Sequence, residues 1–530
     1  MNTDPLSPSR RDLLLMTGLA TAGAVVAAQR GSNPAPAPAP HTTVLIDVRD
    51  HGALGDGSSD DSAAVAAALQ TASAAGTSST VYFPKGVYKI TAGTLIVPHD
   101  NPMVIRGDGP HASQISFLDS DPGSGDLVTL SSPFSALENL QLDGGGAQGD
   151  SDLLVLNGSY NRVSNCSLSG SPGDGLAIGK ASRSIAHVVE NVTIRDAKGY
   201  GIRVHGTSNT EPNGSTDGLW VNVDIGRSGL SGVFLESSSQ NMSNVHVWQS
   251  GVRAGGKNSD QHGFRVSSRS HIFSGCQAET NLGDGFHFEN GGGEGCVVTG
   301  CRVWENGGAG LVGEKTRHLT ITGTTFMRNG RNNVGDSASA IDAAAAAIRN
   351  EGGDGWAITG CAAWDDSKSL SAVQISGDTS ASEIPSRGSQ MTQTFAYVET
   401  GTKGGSVITG GILRAEDHLS RNSILSSSPL LKVIGADLGS DDVPSVESAD
   451  SVTLPAWGDL VNVTGTAKIT SIAPGRPGRT VTLAFPQSGA AGLSGTAAGV
   501  ILSGDFVPQV GAAIMLIYIG SKWRELNRSS

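Results

Sequence analysis

The 530 residues include 36 Lys+Arg against 49 Asp+Glu, a net charge of −13 and a pI near 5.4, so the surface field repels phosphate backbones and speaks against a nucleic-acid role. Glycine accounts for 73 residues, about twice its usual share, while hydrophobic residues reach 38% and aromatics 5%. That composition excludes a coiled coil or helical repeat and favours short strands joined by tight turns. Five cysteines make an odd count, which argues against a complete disulfide framework.

The chain opens with an apolar stretch over 13–28, preceded by Ser9-Arg10-Arg11-Asp12. A twin-arginine pair before a short, weakly apolar run reads as a bacterial twin-arginine signal over 1–32. It is too short and weak for a good membrane anchor. The expectation is a secreted, extracytoplasmic protein with no membrane segment once the signal is cleaved. Residues 33–43 follow as an Ala/Pro linker, with Pro34, Pro36, Pro38 and Pro40 favouring an extended spacer. Folded sequence begins at 44 with a strand and Gly turn. A helix is predicted next, capped by Ser59, Asp60 and Asp61 and running through the Ala-rich segment 63–74. Two strands around a Pro/Gly turn follow over 80–90.

The order GALGDGSSDDSAAVAAAL (52–69), TVYFPKGVYKI (80–90) and VIRGDGPHASQISF (104–117) resembles the N-terminal segment of the pectate-lyase-like superfamily of right-handed parallel β-helices. That superfamily contains polysaccharide lyases, glycoside hydrolases and phage tailspike depolymerases. The resemblance implies an all-β solenoid over 44–442 with an N-terminal capping helix. In that superfamily the segment caps the fold and carries no chemistry, so the resemblance implies the same here.

Internal repeats point to the same architecture independently. NCSLSG (from Asn165), NVTIRD (Asn191), NVDIGR (Asn222), NVHVWQ (Asn244), GCQAET (Gly275), GCRVWE (Gly300), GTTFMR (Gly323) and GCAAWD (Gly360) recur every 22 to 37 residues, each read as a short strand and a turn. Strand alternation turns their second and fourth residues inward. Cys166, Cys276, Cys301 and Cys361 share that phase and are expected as an inward stack of small side chains. No CxxC or Cys/His zinc spacing is present. A second strand of the form G-φ-x-φ-x follows at Gly175, Gly201, Gly232, Gly263, Gly285 and Gly310. Uneven loops interrupt the coils over 206–217, 252–261 and 330–354, the last with a helix-prone run at 338–348. From 443 to 530 the pattern changes to alternating strands with Gly/Pro turns, read as a separate C-terminal β domain. This part resembles the terminal segments of tailspikes and exported β-helices, which implies a homotrimer.

Inward positions fill the core, so a site must be built from outward side chains stacked about 4.8 Å apart on successive coils. On the second-strand face one column reads Ala177, Arg203, Phe234, Arg265, His287, Val312 and its neighbour Gly179, His205, Glu236, Ser267, Glu289, Glu314. Glu236, Glu289, Glu314, Arg265 and His287 are the candidate catalytic residues, with acids for proton transfer or nucleophilic attack and Arg for charge stabilisation. In register, Glu289 and Glu314 would lie about 5 Å apart and Glu236 and Glu289 about 10 Å, bracketing the separations of retaining and inverting glycosidases. The competing reading is a solvated face with salt bridges from Arg265 to Glu236 or Glu289. Arg203 and His205 are candidate substrate-binding residues on this face. On the first-strand face Trp248, Trp304 and Trp364 share a phase and could stack on sugar rings, or be covered by loops or another subunit.

Two family patterns bear on the reaction. Polygalacturonase-like hydrolases carry Asn-x-Asp, Asp-Asp, Gly-His-Gly and Arg-x-Lys on adjacent coils. This chain offers only GDGLAIG (173–179) and QHGFRVSS (261–268), which leaves Asp174 and His262 as turn residues. Calcium-dependent pectate lyases bind calcium against a uronate, and Glu236, Glu289, Glu314 and Arg265 could serve that chemistry. Calcium is the one cofactor this implies, and no Asp-rich outward cluster on one coil marks a cage for it. The leading expectation is an exported, endo-acting polysaccharide-degrading enzyme, a lyase or a glycoside hydrolase, with the glycan along the outer face. The alternatives are a non-catalytic glycan-binding or tailspike-like adhesion protein and a β-helix fructotransferase or epimerase.

Overall fold

The computed structural model describes residues 44–75, 79–118, 125–206, 214–252, 260–330, 346–364, 395–400, 405–413, 424–426, 431–434 and 443–529, apart from 456–458, 476, 488 and 490–491. The expected signal and Ala/Pro linker, and most of the three long loops, lie outside these residues. One ladder of twelve parallel strands runs from Leu95–Val97 through Leu176–Ile178, Ile202–Val204, Val233–Leu235, Phe264–Val266, Phe286–Phe288 and Leu311–Glu314 to Ile424–Ser426. Two further parallel ladders, one through Ala136–Glu138 and one through Gln141–Asp143, fuse where Arg162–Ser169, Val188–Arg195, Leu219–Gly226 and Asn241–Trp248 run across both. The chain is therefore an all-β parallel β-helix.

The cause lies in three residue columns. The Asn that heads each first-strand motif was expected to start a strand, but it bends one instead. Asn165, Asn191, Asn222 and Asn244 adopt φ of 52, 53, 54 and 53°, and Gly275, Gly300, Gly323 and Gly360 occupy the same corner on later coils. Asn and Gly tolerate this left-handed conformation best. Their amides also form a ladder, Asn244 Nδ2 donating to Asn222 Oδ1 at 2.9 Å and Asn222 Nδ2 to Asn191 Oδ1 at 3.2 Å.

The glycines of the G-φ-x-φ-x motif serve a different need. A Cβ on Gly201, Gly263 or Gly285 would sit 2.6 Å from a carbonyl oxygen of the next coil, so only glycine lets the coils close. Gly285→Ala is expected to lower stability by about 1–3 kcal/mol through overpacking, read as a lower urea midpoint.

The polar residues before four of the motif glycines, Gly175, Gly232, Gly263 and Gly285, supply the third column. Their side chains accept from the backbone N–H of the following coil: Asp174 Oδ1 from Tyr200 at 2.8 Å, Ser231 Oγ from His262 at 3.0 Å, His262 Nδ1 from Asp284 at 3.0 Å and Asp284 Oδ1 from Ala309 at 2.7 Å. Turn roles for Asp174 and His262 are thus structural facts.

Inside, Phe264 and Phe286 stack at 4.6 Å, and Phe273 meets both edge-on at 5.5 and 5.2 Å. Cys166, Cys276, Cys296, Cys301 and Cys361 are buried free thiols. Burial pushes the Cys166 and Cys296 thiols up to about 12. A disulfide reagent such as Ellman's should therefore find no reactive thiol in the native protein and five after denaturation.

Two expectations change. The N-terminal helix spans Ser62–Ala74, and Asp61 does not cap it; its carboxylate instead accepts the N–H groups of Leu54 at 2.7 Å and Gly55 at 3.2 Å, tying down the entry loop. Ser59 and Asp60 belong to the strand Asp56–Asp60, though Asp60 Oδ1 accepts the N–H of Ser62, the first helical residue, at 2.9 Å. Of the helix-prone run at 338–348, the part within the described residues is strand, Ala346–Glu351, because its Ala and Ile side chains meet the core and its backbone pairs with Leu311–Glu314. Beyond 443, a six-stranded sheet that includes Leu460–Thr464, Thr480–Phe485, Ala512–Ile519 and Lys522–Ser529 has its own apolar core. There buried Trp523 donates to Ala473 O at 2.9 Å.

Candidate functional site

The outward column of the twelve-stranded ladder pairs Ala177 with Arg203, Arg203 with Phe234, Phe234 with Arg265, Arg265 with His287 and His287 with Val312. Two residues on from each lie Glu236, Glu289 and Glu314. The strand alternation that buries Phe264, Val266, Phe286 and Phe288 forces Arg265 and His287 outward.

A cleft of about 560 Å³ opens over this column between Leu230 and Asn290, lined by Asp260, His262, Arg265, His287, Glu289 and Glu314. Arg265 is its hub. Its Nε and Nη2 lie 3.0 Å from Glu289 Oε2, its Nη1 is 2.5 Å from Asp260 Oδ2 and 3.2 Å from the Tyr200 hydroxyl, and its guanidinium lies 4.2 Å from the centre of the Phe234 ring. Tyr200 in turn donates to Asp260. Burial and the bond to Asp260 raise the Tyr200 hydroxyl well above its ordinary pKa.

The second half of the cleft is a carboxylate–imidazole relay. His287 Nδ1 lies 2.8 Å from Asp284 Oδ2, and its Nε2 faces Glu314 Oε1 at 3.5 Å. Burial opposes ionisation of Asp284, yet its contacts with His262 and His287 hold the carboxyl well below the usual carboxylate range. Burial likewise opposes the charged form of His287, and the neighbouring Asp284 outweighs it, raising the imidazole. Asp284 thereby fixes which nitrogen of His287 faces the glutamate.

His262, Asp284 and His287 bring ligand atoms within 4.8 Å of one another, and so were tested as a metal centre. They do not fit one. The two rings stack at 4.2 Å and 17°, so their lone pairs run side by side rather than converging. His262 Nδ1 is occupied by the Asp284 N–H and His287 Nδ1 by the Asp284 carboxylate. The oxygen donors calcium needs, Asp260, Glu289 and Glu314, face Arg265 and His287 instead.

Glu236 does not reach Arg265. It forms a bidentate pair with Arg203 of the preceding coil, at 3.0 and 3.1 Å. His205 lies beyond, held down to about 4 by burial and by Arg203, with Nε2 lacking a hydrogen-bond partner. Nearby Asp174 is pushed up to about 7 by burial and by the Asp152 charge. An acid whose native pKa exceeds its unfolded value binds more protons folded than unfolded, so stability falls as pH rises from about 4 to 7. Asp174→Asn keeps the acceptor for Tyr200 and should stabilise by on the order of 2 kcal/mol at pH 8 but not at pH 3.5, in urea melts.

Trp248, Trp304 and Trp364 share one column, as expected, but on the other face, with Glu279 and Met327 between them. Arg195 covers the Trp248 ring at 4.8 Å and Arg302 the Trp304 ring at 4.7 Å, while their indole N–H groups donate to Asp224 and Glu279. The structure thus gathers Arg265, His287, Glu289 and Glu314 and leaves Arg203, His205, Glu236 and the tryptophans outside the cleft lining. Sequence reasoning missed Tyr200, Asp260 and Asp284. Tyr200 and Asp284 stand directly before a motif glycine, a position that could have been read as a column; Asp260 borders an irregular loop and carries no such signal.

Residues 152–326 and 213–376 match the family model of the right-handed β-helix region, and residues 45–125 match the model for rhamnogalacturonase A/epimerase, pectate lyase-like. The matches mark residues 152–376 as right-handed β-helix and residues 45–125 as pectate-lyase-like sequence. Among sequence relatives of this β-helix, mannuronan C5-epimerase AlgE6 of Azotobacter vinelandii is 31% identical over 172 residues, 30% of this chain and 17% of that protein. AlgE5 of the same organism is 27% identical over 301 residues, 52% and 26%. A probable glucan endo-1,3-beta-glucosidase of Arthroderma benhamiae is 34% identical over 118 residues, 19% and 13%. The matches thus span about a quarter or less of these relatives. Among solved structures, the A-module of A. vinelandii mannuronan C-5 epimerase AlgE4 superposes with a TM-score of 0.52 at 16% identity, covering 74% of this chain and 97% of that one. A DFA-IIIase variant from Arthrobacter chlorophenolicus A6 gives 0.50 at 12%, covering 75% and 99%. These two likenesses establish the fold.

Proposed function

We propose that this β-helix is a carbohydrate-active enzyme that holds a polysaccharide along the outer face of its twelve-stranded ladder and hydrolyses a glycosidic bond in the cleft. One observation carries the reading: Glu289 and Glu314 stand on consecutive coils at the cleft, one hydrogen-bonded to Arg265 and the other facing His287 Nε2. Consecutive coils lie about 4.8 Å apart, close to the carboxyl spacing of retaining glycosidases, about 5–5.5 Å.

In this scheme the Glu289 carboxylate attacks the anomeric carbon as the glycosidic C–O bond breaks. The Glu314–His287 pair delivers the proton that the leaving oxygen takes up. Water then hydrolyses the glycosyl ester after losing a proton to the same pair, which restores both carboxyl groups. Asp284 acts as a positioning residue, holding the imidazole with Nε2 towards Glu314. The twin-arginine sequence at Arg10-Arg11 supports an extracytoplasmic place of action.

A second reading, epimerisation at a uronate, is favoured by the similarity to mannuronan C5-epimerases. The test is incubation of the exported chain with neutral, amino and uronate polysaccharides. Reducing ends, ultraviolet absorbance of unsaturated ends and anomeric configuration are followed together. Hydrolysis gives new reducing ends of retained configuration without absorbance. Changed sugar composition without new ends would replace it by epimerisation, absorbance would replace it by elimination, and silence throughout would leave a glycan-binding protein.

A further inference from the structure

We infer that the glycan held by this cleft carries free amino groups, so that its substrate is a cationic, amino-sugar polysaccharide and not a polyuronate. The inference rests on the proposed placement of a glycan in the cleft and adds to it the chemical class of the sugar.

The argument is one of charge balance. Arg265 and His287, which line the cleft, already serve carboxylates. Arg265 bonds both Asp260 and Glu289, and His287 stands between Asp284 and Glu314. The pattern continues on earlier coils, where Lys180 bridges two carboxylates, each at 2.8 Å, and Arg203 is held bidentately by Glu236. Three carboxyl groups line the cleft, with Asp284 buried behind His287, and they meet one guanidinium and the His287 imidazole. His262 Nδ1 accepts the Asp284 N–H at 3.0 Å and lies 3.3 Å from the Asp284 carboxylate, so this ring is engaged there as well.

A uronate carboxylate entering here would face a surplus of negative charge, and the guanidinium lining the cleft is already held by Asp260 and Glu289. An ammonium group would be attracted both by the cleft and by the net charge of −13. Position agrees with charge. The Glu314 side chain is 37% exposed, the most open carboxylate of the cleft, and hydrogen-bonds only weakly, to the Asn290 N–H at 3.3 Å. An amino group on one sugar can reach Glu314 while the neighbouring sugar lies over Glu289. Coil spacing of about 4.8 Å suits a ligand with one charged group per residue of an extended chain.

The test is binding of the full exported chain to glucosamine oligosaccharides, to the same oligosaccharides after N-acetylation and to oligomannuronate, by titration calorimetry at two salt concentrations. The amino form is expected to bind about 10-fold or more tighter than its acetylated twin, with the difference shrinking at high salt. Glu314→Gln should reduce that preference several-fold. Glu447→Gln with Asp450→Asn, both exposed and remote from the cleft in sequence, should leave it unchanged, which separates a site from general attraction to an acidic protein. Equal or tighter binding of the acetylated or uronate ligand overturns the inference, as does a preference insensitive to Glu314→Gln. Binding of the amino ligand without new reducing ends leaves the inference standing and sinks hydrolysis. Turnover of a neutral glycan without selective amino-sugar binding does the reverse.

Discussion

Glu314→Gln and Glu289→Gln should each lower kcat by about 10²–10⁴-fold, the usual worth of a positioned proton-transfer group, while thermal stability stays near that of the parent. Gln is isosteric with Glu and keeps an acceptor oxygen for Asn290 N–H or Arg265, so folding has little reason to respond. The two variants should differ in kind. With Glu289→Gln, the Arg265 donors stay satisfied but the nucleophile is lost, and added formate, a small carboxylate, should restore part of the turnover if room is left by Glu289→Ala. With Glu314→Gln, one limb of the pH–rate profile should flatten, because the group that gives up the proton no longer titrates. His287→Asn is expected to move the same limb. If these residues are only a salt-bridged surface, all the variants will show parental kcat and lose at most about 1 kcal/mol of stability, as partly exposed ion pairs do.

Phe286→Ala is the substitution expected to cost most stability, about 3–5 kcal/mol. Its ring has no exposed surface, stacks on Phe264 and takes the edge of Phe273, so truncation leaves a cavity that three rigid coils cannot collapse into. The adjacent column would feel it too, since Arg265 and His287 project from the same strands as Phe264 and Phe286, and kcat should fall before the coil unfolds. Phe286→Leu should cost less, because most of the volume is retained. Val507→Ala, at a residue 79% exposed, serves as the control and is expected to stay within about 0.5 kcal/mol. Urea unfolding followed by near-ultraviolet circular dichroism measures all three. A loss below about 1 kcal/mol for Phe286→Ala would mean that this part of the core is loosely packed.

How much of this was legible beforehand can be argued residue by residue. Every second residue of FRV (264–266) and FHF (286–288) is apolar, and that period of two alone placed Arg265 and His287 on the outside and next to one another. The repeated Gly before each such strand likewise marked the coil period, although its reason, a carbonyl 2.6 Å from any added Cβ, is visible only when coils stack. The Asn of NVTIRD and NVHVWQ looked like a strand residue because one sequence does not distinguish a pause in alternation from a left-handed corner; the φ of 53° does.

Ion-pair partners, in contrast, depended on tertiary structure. Arg265 could have taken Glu236 or Glu289, each one coil away; Glu236 pairs with Arg203, and Arg265 pairs with Glu289. Asp260 reaches Arg265 from a loop edge and Tyr200 reaches it across 65 residues, contacts that no local pattern encodes. The sequence by itself determined the solenoid, its inward and outward faces and the column from Arg203 to Val312, because strand alternation and the coil repeat are properties of neighbouring residues. Only the tertiary structure decided which carboxylates are committed to which cations and that a cleft opens at Glu289 and Glu314, because those outcomes depend on residues such as Tyr200, Asp260 and Glu289 meeting across coils distant in the chain.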